Sequence, residues 1–437
     1  MTLITFRRFS WTGLALVAMV AALSLVSPRA IGQEEAPPLP EDRIVVDIDA
    51  PTEDEFLIGI PKLIGEPAAD AAMGGAVLMN DFRLMPGFRV IGPSAVRHDS
   101  DAEGLGVDLD AWATLGANGV IKGMMGGNDA GLFVELRFYQ SSGGGVPALR
   151  ETYQGPPKNL RSWMHDFANK VIGIVTGTYG PFGTEIAFAR KHGPGQKSVY
   201  AADMDGYGVR KVSSGQGVSM LPSFGKGSIW YTRMTKQGMF ITNTRAGGRR
   251  VIGGKGITMA PSVCGERVYF SSSRSGDPEI YSSKLDGKDI RRLTRHRAID
   301  VSPTCGPGGR IAFVSDRHGS PQVFTMNSDG SNLKRVTFRG NHNQTPVWCQ
   351  DPEQPLIAFS GRDGNFDIFT VNIVTQEYKR LTQGQGDNKD PAFSPDCRLI
   401  AFASDRQGSA GVYLSGQDGL DQNLVISGVA ETVRWAR

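Results

Sequence analysis

RIAFVSDRHGSPQVFTMNSDG, Arg310 to Gly330, returns almost unchanged as RLIAFASDRQGSAGVYLSGQDG, Arg398 to Gly419. Each copy runs apolar strand, charged turn, apolar strand, polar turn. The apolar anchor recurs at Ile186 (IAFAR), Ile229 (IWYTR), Val268 (VYFSS), Ile311, Ile357 (IAFSG) and Ile400, spaced 43, 39, 43, 46 and 43 residues apart. A proline precedes each later anchor: Pro222, Pro261, Pro303, Pro346 and Pro391. A second apolar segment follows each anchor (VYAAD, MFITN, IYSSK, VFTMN, IFTVN, VYLSG). Then comes a short one that often ends in threonine, as in RLT, RVT and RLT. Four short strands per period of about 43 residues suit a propeller blade; a helical repeat would show a 3.6-residue rhythm instead.

Six anchors imply six blades. Asp-Gly pairs at Asp205, Asp286, Asp329 and Asp418 fall between third and fourth strands, where the pair favours the positive φ of a tight hairpin turn. Proline marks five innermost strands, and the first blade lacks one ahead of Ile186. The missing strand is expected at the other end of the chain, in ETVRWAR. There Trp435 falls where Trp348 and Phe393 fall, and Val433 takes the proline slot. The C-terminus is therefore expected to close the ring by supplying the innermost strand of blade 1.

The N-terminal third lacks the repeat. Arg7 and Arg8 precede an uncharged apolar run, Trp11 to Val26, shorter than the roughly 20 residues of a bilayer span. Small residues follow, so residues 1–32 read as a signal peptide cut after Gly32, with an uncleaved anchor as the alternative. No other stretch is apolar enough to span a membrane, and an exported protein is expected. Residues 33–176 read as a small α/β domain with a mixed sheet. RIVVDID, FLIGIP, FRVIG, GVIKGMM, LFVELRFYQ and ALRETYQ are its strands. Helices are expected after Pro67, after Asp108 as N-cap, and from Lys158. Residues 177–183 are the linker and 184–437 the propeller.

Lysine plus arginine number 47 against 44 acidic residues, a net charge of +3. No basic stripe interleaves with aromatics, so nothing speaks for nucleic-acid binding. Cys264, Cys305, Cys349 and Cys397 lie one per repeat in successive innermost strands, at +3, +2, +3 and +6 from the repeat proline. Alternate residues of a strand face opposite neighbours, so parity favours Cys264–Cys305 and Cys349–Cys397 bridges. Four buried free thiols are the alternative. No G-x-S-x-G elbow and no Walker A sequence are present. His98, His165, His192, His296, His318 and His342 show no metal-ligand spacing. Asp300, Asp387 and Asp390 are the set a calcium-binding propeller would use; no metal and no cofactor are expected.

DAWATLGANGVIKGMM, LRSWMHDFANKVIGIVTGTYGPFGTEIAFA, ADMDGYGVRKV and VTFRGNHNQTPVW, together with the order signal peptide, α/β domain, six blades, make the chain resemble the TolB family of the Tol–Pal envelope system. The resemblance implies a non-enzymatic periplasmic adaptor supporting envelope integrity and constriction at division. Its implied partners are the lipoprotein Pal, docked at the mouth of the propeller channel, and the inner-membrane protein TolA, engaged through the segment after the signal peptide; other outer-membrane lipoproteins are further candidates. The TolA-facing segment would be Arg43, Ile44, Val45, Val46, Asp47 and Ile48. The Pal-facing residues would lie in the loops entering the innermost strands: Asp300, Asn341, His342, Asn343, Gln344, Asn388, Lys389 and Asp390. The rival readings are an exported carbohydrate- or peptide-binding propeller and a propeller-type hydrolase.

Overall fold

The computed structural model describes residues 55–96, 101–128, 131–215, 217–428 and 430–436. The signal segment and Arg43 to Ile48 lie outside them.

In the α/β domain β1 (Phe56–Gly59), β2 (Ile64–Gly65), β3 (Phe88–Ile91), β4 (Gly119–Asn128), β5 (Gly131–Gln140) and β6 (Leu149–Gly155) form one sheet. β1 runs parallel to β3 and β4, and β5 runs antiparallel to β4 and β6, so the sheet is mixed. Helices α1 (Ala68–Leu84) and α3 (Leu160–Thr176) bury Leu78, Phe82, Met164, Phe167 and Val171 in the same core as Ile121, Val134 and Leu136. The short helix α2 (Leu109–Ala113) starts at Asp108, whose Oδ1 accepts the Ala111 N–H at 3.1 Å, satisfying one free N–H of its first turn. It carries Trp112, which lies against Gly59; a Cβ at Gly59 would sit 2.4 Å from the indole.

The six repeats form six blades of four antiparallel strands around a channel. In blades 3 to 6 the strand order in each sheet is the sequence order. Blade 1 takes Ala430–Trp435 as its innermost strand, antiparallel to Glu185–Gly193, with Trp435 opposite Ile186 and Arg434 opposite Ala187. In blade 2 the fourth position is a single bridge, Ile241 to Ile252.

Apolar clusters fill the gaps between blades. Ile229 and Tyr231 pack on Ala187, Val199 and Ala201; Phe270 and Tyr281 on Trp230 and Ile241; Phe313 and Phe324 on Tyr269 and Ile280; Phe402 and Tyr413 on Ile368 and Leu381. Burying each such side chain contributes on the order of 1.5–3 kcal/mol. Disulfides Cys264–Cys305 and Cys349–Cys397 join blade 3 to 4 and blade 5 to 6, with Cα atoms 5.8 and 5.4 Å apart. The innermost strands of those blades carry the cysteines or end just before them. In the loop-entropy account each bridge stabilises by roughly 4 kcal/mol.

Turns and strand interiors both carry a backbone signature. Gly206, Gly287, Gly330 and Gly419 of the Asp-Gly turns have φ of 85°, 81°, 90° and 89°. Each faces a carbonyl on the outer edge of the preceding blade, those of Val425, Val251, Leu293 and Leu381, at 1.9 to 2.7 Å from where a Cβ would be. The glycine thus serves the turn and the inter-blade contact together. In every innermost strand the residue before the repeat proline, or before Val433, is left-handed: Leu221, Ala260, Ser302, Thr345, Asp390 and Thr432, with φ between 49° and 57°. The register slips there in all six blades, as a β-bulge requires. The bulge turns backbone N–H groups toward the neighbouring blade. Ala260 donates to Thr232 Oγ1 (2.9 Å), Ser302 to Ser271 Oγ (3.1 Å), Asp390 to Ser360 Oγ (3.0 Å) and Thr432 to Asp390 Oδ2 (2.7 Å).

Deleting Glu431 to Arg437 should lower the unfolding temperature of the whole propeller in one cooperative step, read by calorimetry; an unchanged transition would refute strand-supplied closure. Gly330→Ala adds a Cβ in a left-handed backbone against the Leu293 carbonyl, and denaturant unfolding should register a loss of about 2 kcal/mol or more.

Candidate functional site

One end of the channel is framed by the loops that enter the innermost strands and by the turns that join second to third strands. Asp300 N donates to Pro278 O and Asn343 N to Pro321 O, each tying an innermost strand to the turn of the blade before it. The other end faces the α/β domain. There Arg398 donates to Thr176 Oγ1 at 2.8 Å and to the carbonyls of Thr178 and Tyr179, and Trp435 Nε1 donates to Thr184 Oγ1 at 2.7 Å. A small pocket at this second end is lined by Ser223, Ser262, Thr304, Trp348, Phe393 and Arg434, among others.

At the first end, the mouth, a polar belt repeats from blade to blade. Glu279, Gln322 and Asp367 begin the third strands of blades 3, 4 and 5. Each accepts the hydroxyl of the threonine that ends its blade: Thr294 at 2.5 Å, Thr337 at 2.7 Å and Thr382 at 2.7 Å. Those threonine oxygens in turn accept the N–H groups of Ile280, Val323 and Ile368. The next blade joins in. Asn343 Nδ2 donates to Gln322 Oε1 (2.9 Å) and Asn388 Nδ2 to Asp367 Oδ1 (3.1 Å). Arg406 Nη2 closes on Asn388 Oδ1 at 2.9 Å, and Arg317 Nη2 on both Asp300 oxygens at 3.1 and 2.9 Å.

The eight candidate residues differ in how much of each the belt leaves accessible. Asp300, Asn343, Gln344 and Asn388 are buried. Asp300, Asn343 and Asn388 are held by Arg317, Gln322 and Asp367, and burial holds the Asp300 carboxyl above its ordinary value. Their polarity belongs to the joints between blades, because a buried amide without a partner would cost about 1–3 kcal/mol. Asp390 occupies the left-handed bulge inside the channel, accepts the Thr432 N–H, and has its pKa raised by desolvation.

Asn341 is exposed, and His342 and Lys389 are partly exposed. His342 and Lys389 meet over Phe366, which sequence reasoning missed. The His342 ring stands edge-on to it with centroids 5.4 Å apart, and Lys389 Nζ lies 4.6 Å above it. His342 Nε2 is 3.2 Å from Gln344 Oε1, and burial lowers its pKa. Lys389 Nζ also donates to Asp387 Oδ2 at 2.6 Å. The signal for Phe366 was an aromatic directly after the tight turn DGN at Asp363 to Asn365. The accessible patch is thus Asn341, His342 and Lys389, seated over the buried Phe366 ring, with Arg362 over the same ring at 5.8 Å.

A second polar cluster joins the α/β domain to blade 1. Asp81 on α1 is fully buried and its Oδ2 lies 2.8 Å from His165 Nδ1 on α3. Arg161, one turn earlier on α3, lies 3.4 Å from His165 Nε2 and donates to Asp205 Oδ2 at 2.5 Å. Its guanidinium also stacks on Tyr207 at 3.8 Å. Asp81, His165 and Asp205 bring ligand atoms within 4.8 Å of one another, but the Arg161 guanidinium already supplies the positive charge there. The arrangement is an ion-pair relay across the domain boundary.

Two family profiles match this chain: the TolB amino-terminal domain over residues 44–144 and the TolB beta propeller domain over residues 173–359. The Tol-Pal system protein TolB of Desulfosudis oleivorans is 33% identical over 240 residues, 53% of this chain and 54% of that protein. The chain therefore spans about half the length of that relative. The Tol-Pal system protein TolB of Anaeromyxobacter dehalogenans (strain 2CP-C) is 32% identical over 304 residues, 65% of this chain and 66% of the other. The crystal structure of TolB from Acinetobacter baumannii superposes with a TM-score of 0.77 at 22% identity, covering 88% of this chain and 97% of that one, a likeness of fold. Among the described residues no helix is long and apolar enough to cross a membrane.

Desolvation pushes Asp81 up to about 6, and the Asp81 carboxylate raises His165 above 6.5 against the opposing effect of burial. Both groups hold protons more tightly when folded. Their stabilising contribution is complete at low pH and is lost as pH rises through about 6 and then through the raised His165 value. The unfolding temperature should fall as pH rises from the ordinary carboxylate range through about 6 and on through the raised His165 value, and Asp81→Asn, which removes this titration, should flatten the slope. An equal slope in both proteins would contradict the assignment.

Proposed function

Because the chain belongs to the TolB family, we propose that it is a non-catalytic periplasmic adaptor of the Tol–Pal system. In this reading the lipoprotein Pal docks at the channel mouth and TolA engages the segment Arg43 to Ile48. The observation that carries the reading is the accessible patch of Asn341, His342 and Lys389 over the Phe366 ring, on a mouth whose deeper polar groups are consumed by inter-blade hydrogen bonds. A rigid belt with a few free polar side chains above it offers recognition without reorganisation, which lowers the entropy lost on docking. The residues at the mouth form no nucleophile–base pair, and they suit binding better than covalent chemistry.

An envelope pull-down with the mature protein tests this. Asn341→Ala, His342→Ala and Lys389→Ala are combined in one variant, leaving Asn343, Asn388 and Asp300 in place so that the blades stay joined. The native bait should retain a peptidoglycan-associated lipoprotein, and the triple variant should lose roughly tenfold or more in affinity, as loss of a hot-spot cluster does. Retention by both baits would leave the adaptor role and move the site. Sugar or peptide fragments on the native bait, with no lipoprotein, would favour a ligand-binding propeller.

A further inference from the structure

The mouth carries a charge asymmetry that the net charge of the chain conceals. Lys191 sits near the end of the second strand of blade 1, and Lys236 at the turn between second and third strands of blade 2. Lys255, Arg295, Arg297 and Arg339 sit in the loops entering the innermost strands of blades 3, 4 and 5. All six are exposed. Among the described residues none of the six forms an ion pair, whereas the acidic groups around them are largely engaged. Asp300 is held by Arg317, Asp363 by Arg380 and Asp387 by Lys389. Asp316 accepts the Ile299 N–H at 2.7 Å, and Asp405 the Asp387 N–H at 2.7 Å. Asp277 is the exposed acid at this end without such a partner among the described residues. Hydrogen bonds leave the charges of Asp316 and Asp405 in place, so the six cations stand against three acids without a cation among the described residues, Asp277, Asp316 and Asp405, an excess of about three positive charges on this one rim.

Unpaired cations are not needed to hold the blades together, since the belt beneath them is already satisfied. They sit on successive blades at one end of the ring, so their fields add there and extend about a Debye length into solvent. We propose that the channel mouth recognises an acidic patch on a folded partner protein, the cationic rim steering it onto the Asn341–His342–Lys389 patch. This inference rests on the adaptor reading for the identity of the partner. A protein surface fits better than a uniformly anionic sheet. Asp277, Asp363 and Asp405 interrupt the rim, so the positive charge is patterned rather than continuous.

The test is association kinetics by stopped flow. The partner is the soluble domain of the lipoprotein retained in the pull-down, and the variant is Arg295→Glu, Arg297→Glu and Arg339→Glu. Circular dichroism and the unfolding temperature confirm that the variant folds; the Arg295 and Arg297 side chains are exposed, and Arg339 lies 5.5 Å from the centroid of the partly buried Tyr378 ring. The association rate of the native protein should drop roughly tenfold or more from low to high salt. The variant should associate roughly tenfold more slowly at low salt, with dissociation within about a factor of two. A rate insensitive to both salt and charge reversal would overturn the acidic-partner inference while leaving the adaptor reading intact.

If the native protein binds no lipoprotein, the adaptor reading falls, and a second probe decides the inference. This probe is a synthetic glutamate-rich peptide compared with its glutamine counterpart. Preference for the glutamate peptide that disappears in the variant sustains the inference; equal binding overturns it. Tighter rim-dependent binding to phosphatidylglycerol vesicles than to either protein probe would also overturn it, in favour of a lipid surface.

Discussion

Everything in the propeller depends on one antiparallel pairing, Ala430–Trp435 against the strand that begins at Glu185. A blade is a sheet with apolar residues on both faces, and each face needs a neighbour. Five gaps are filled by blades adjacent in sequence. The sixth, between blade 6 and blade 1, closes when the last strand of the chain becomes the innermost strand of the first blade. Thr432 is bound on both sides, donating its N–H to Asp390 in blade 6 and accepting the Leu221 N–H of blade 2 at 3.4 Å. The same closure places Trp435 and Thr184 at the domain boundary, so ring integrity and the seating of the α/β domain share residues.

The inner ring is held by a strained backbone rather than a regular one. Six non-glycine residues in the left-handed region cost on the order of 1 kcal/mol each. The strain persists because it aims N–H groups at hydroxyl or carboxylate acceptors in the adjoining blade. Thr232, Ser271 and Ser360, unremarkable in sequence, are those acceptors. Further out, the belt of Glu279, Gln322 and Asp367 with their threonines performs a second round of joining. Disulfides add a third between two pairs of blades. The channel wall is thus cross-linked at several levels, and a partner meets a scaffold with little freedom to lose.

Much of the candidate site was legible as a location and little of it as chemistry. Repeat position alone put Asn341, His342, Asn388 and Lys389 at one end of the channel. Which of them remain available was not legible, because Asn343 and Asn388 differ from Asn341 only in where their amides land. In an isolated sequence an asparagine in a loop before a strand reads as solvated. In the ring it lies against a glutamine or aspartate of the preceding blade, about 20 residues away in sequence. Phe366 reads as core and is buried; only the fold shows that His342 and Lys389 meet over its ring. The Asp81–His165–Arg161–Asp205 relay could not be seen at all, since its members are separated by up to 124 residues (205 minus 81) and meet only when the domains do.

The sequence by itself determined the blade number, the strand order within blades and the closure by the C-terminal strand. Those properties follow from period, alternation and the proline slot, all local and additive along the chain. It also determined the mixed α/β character of the amino-terminal domain through its helical and strand periodicities. Only the tertiary structure decided which polar side chains serve the joints between blades and which are left for a partner. It also decided that the residue ahead of each repeat proline turns left-handed. Both depend on what the adjacent blade presents at a few ångströms, and no single repeat contains that information.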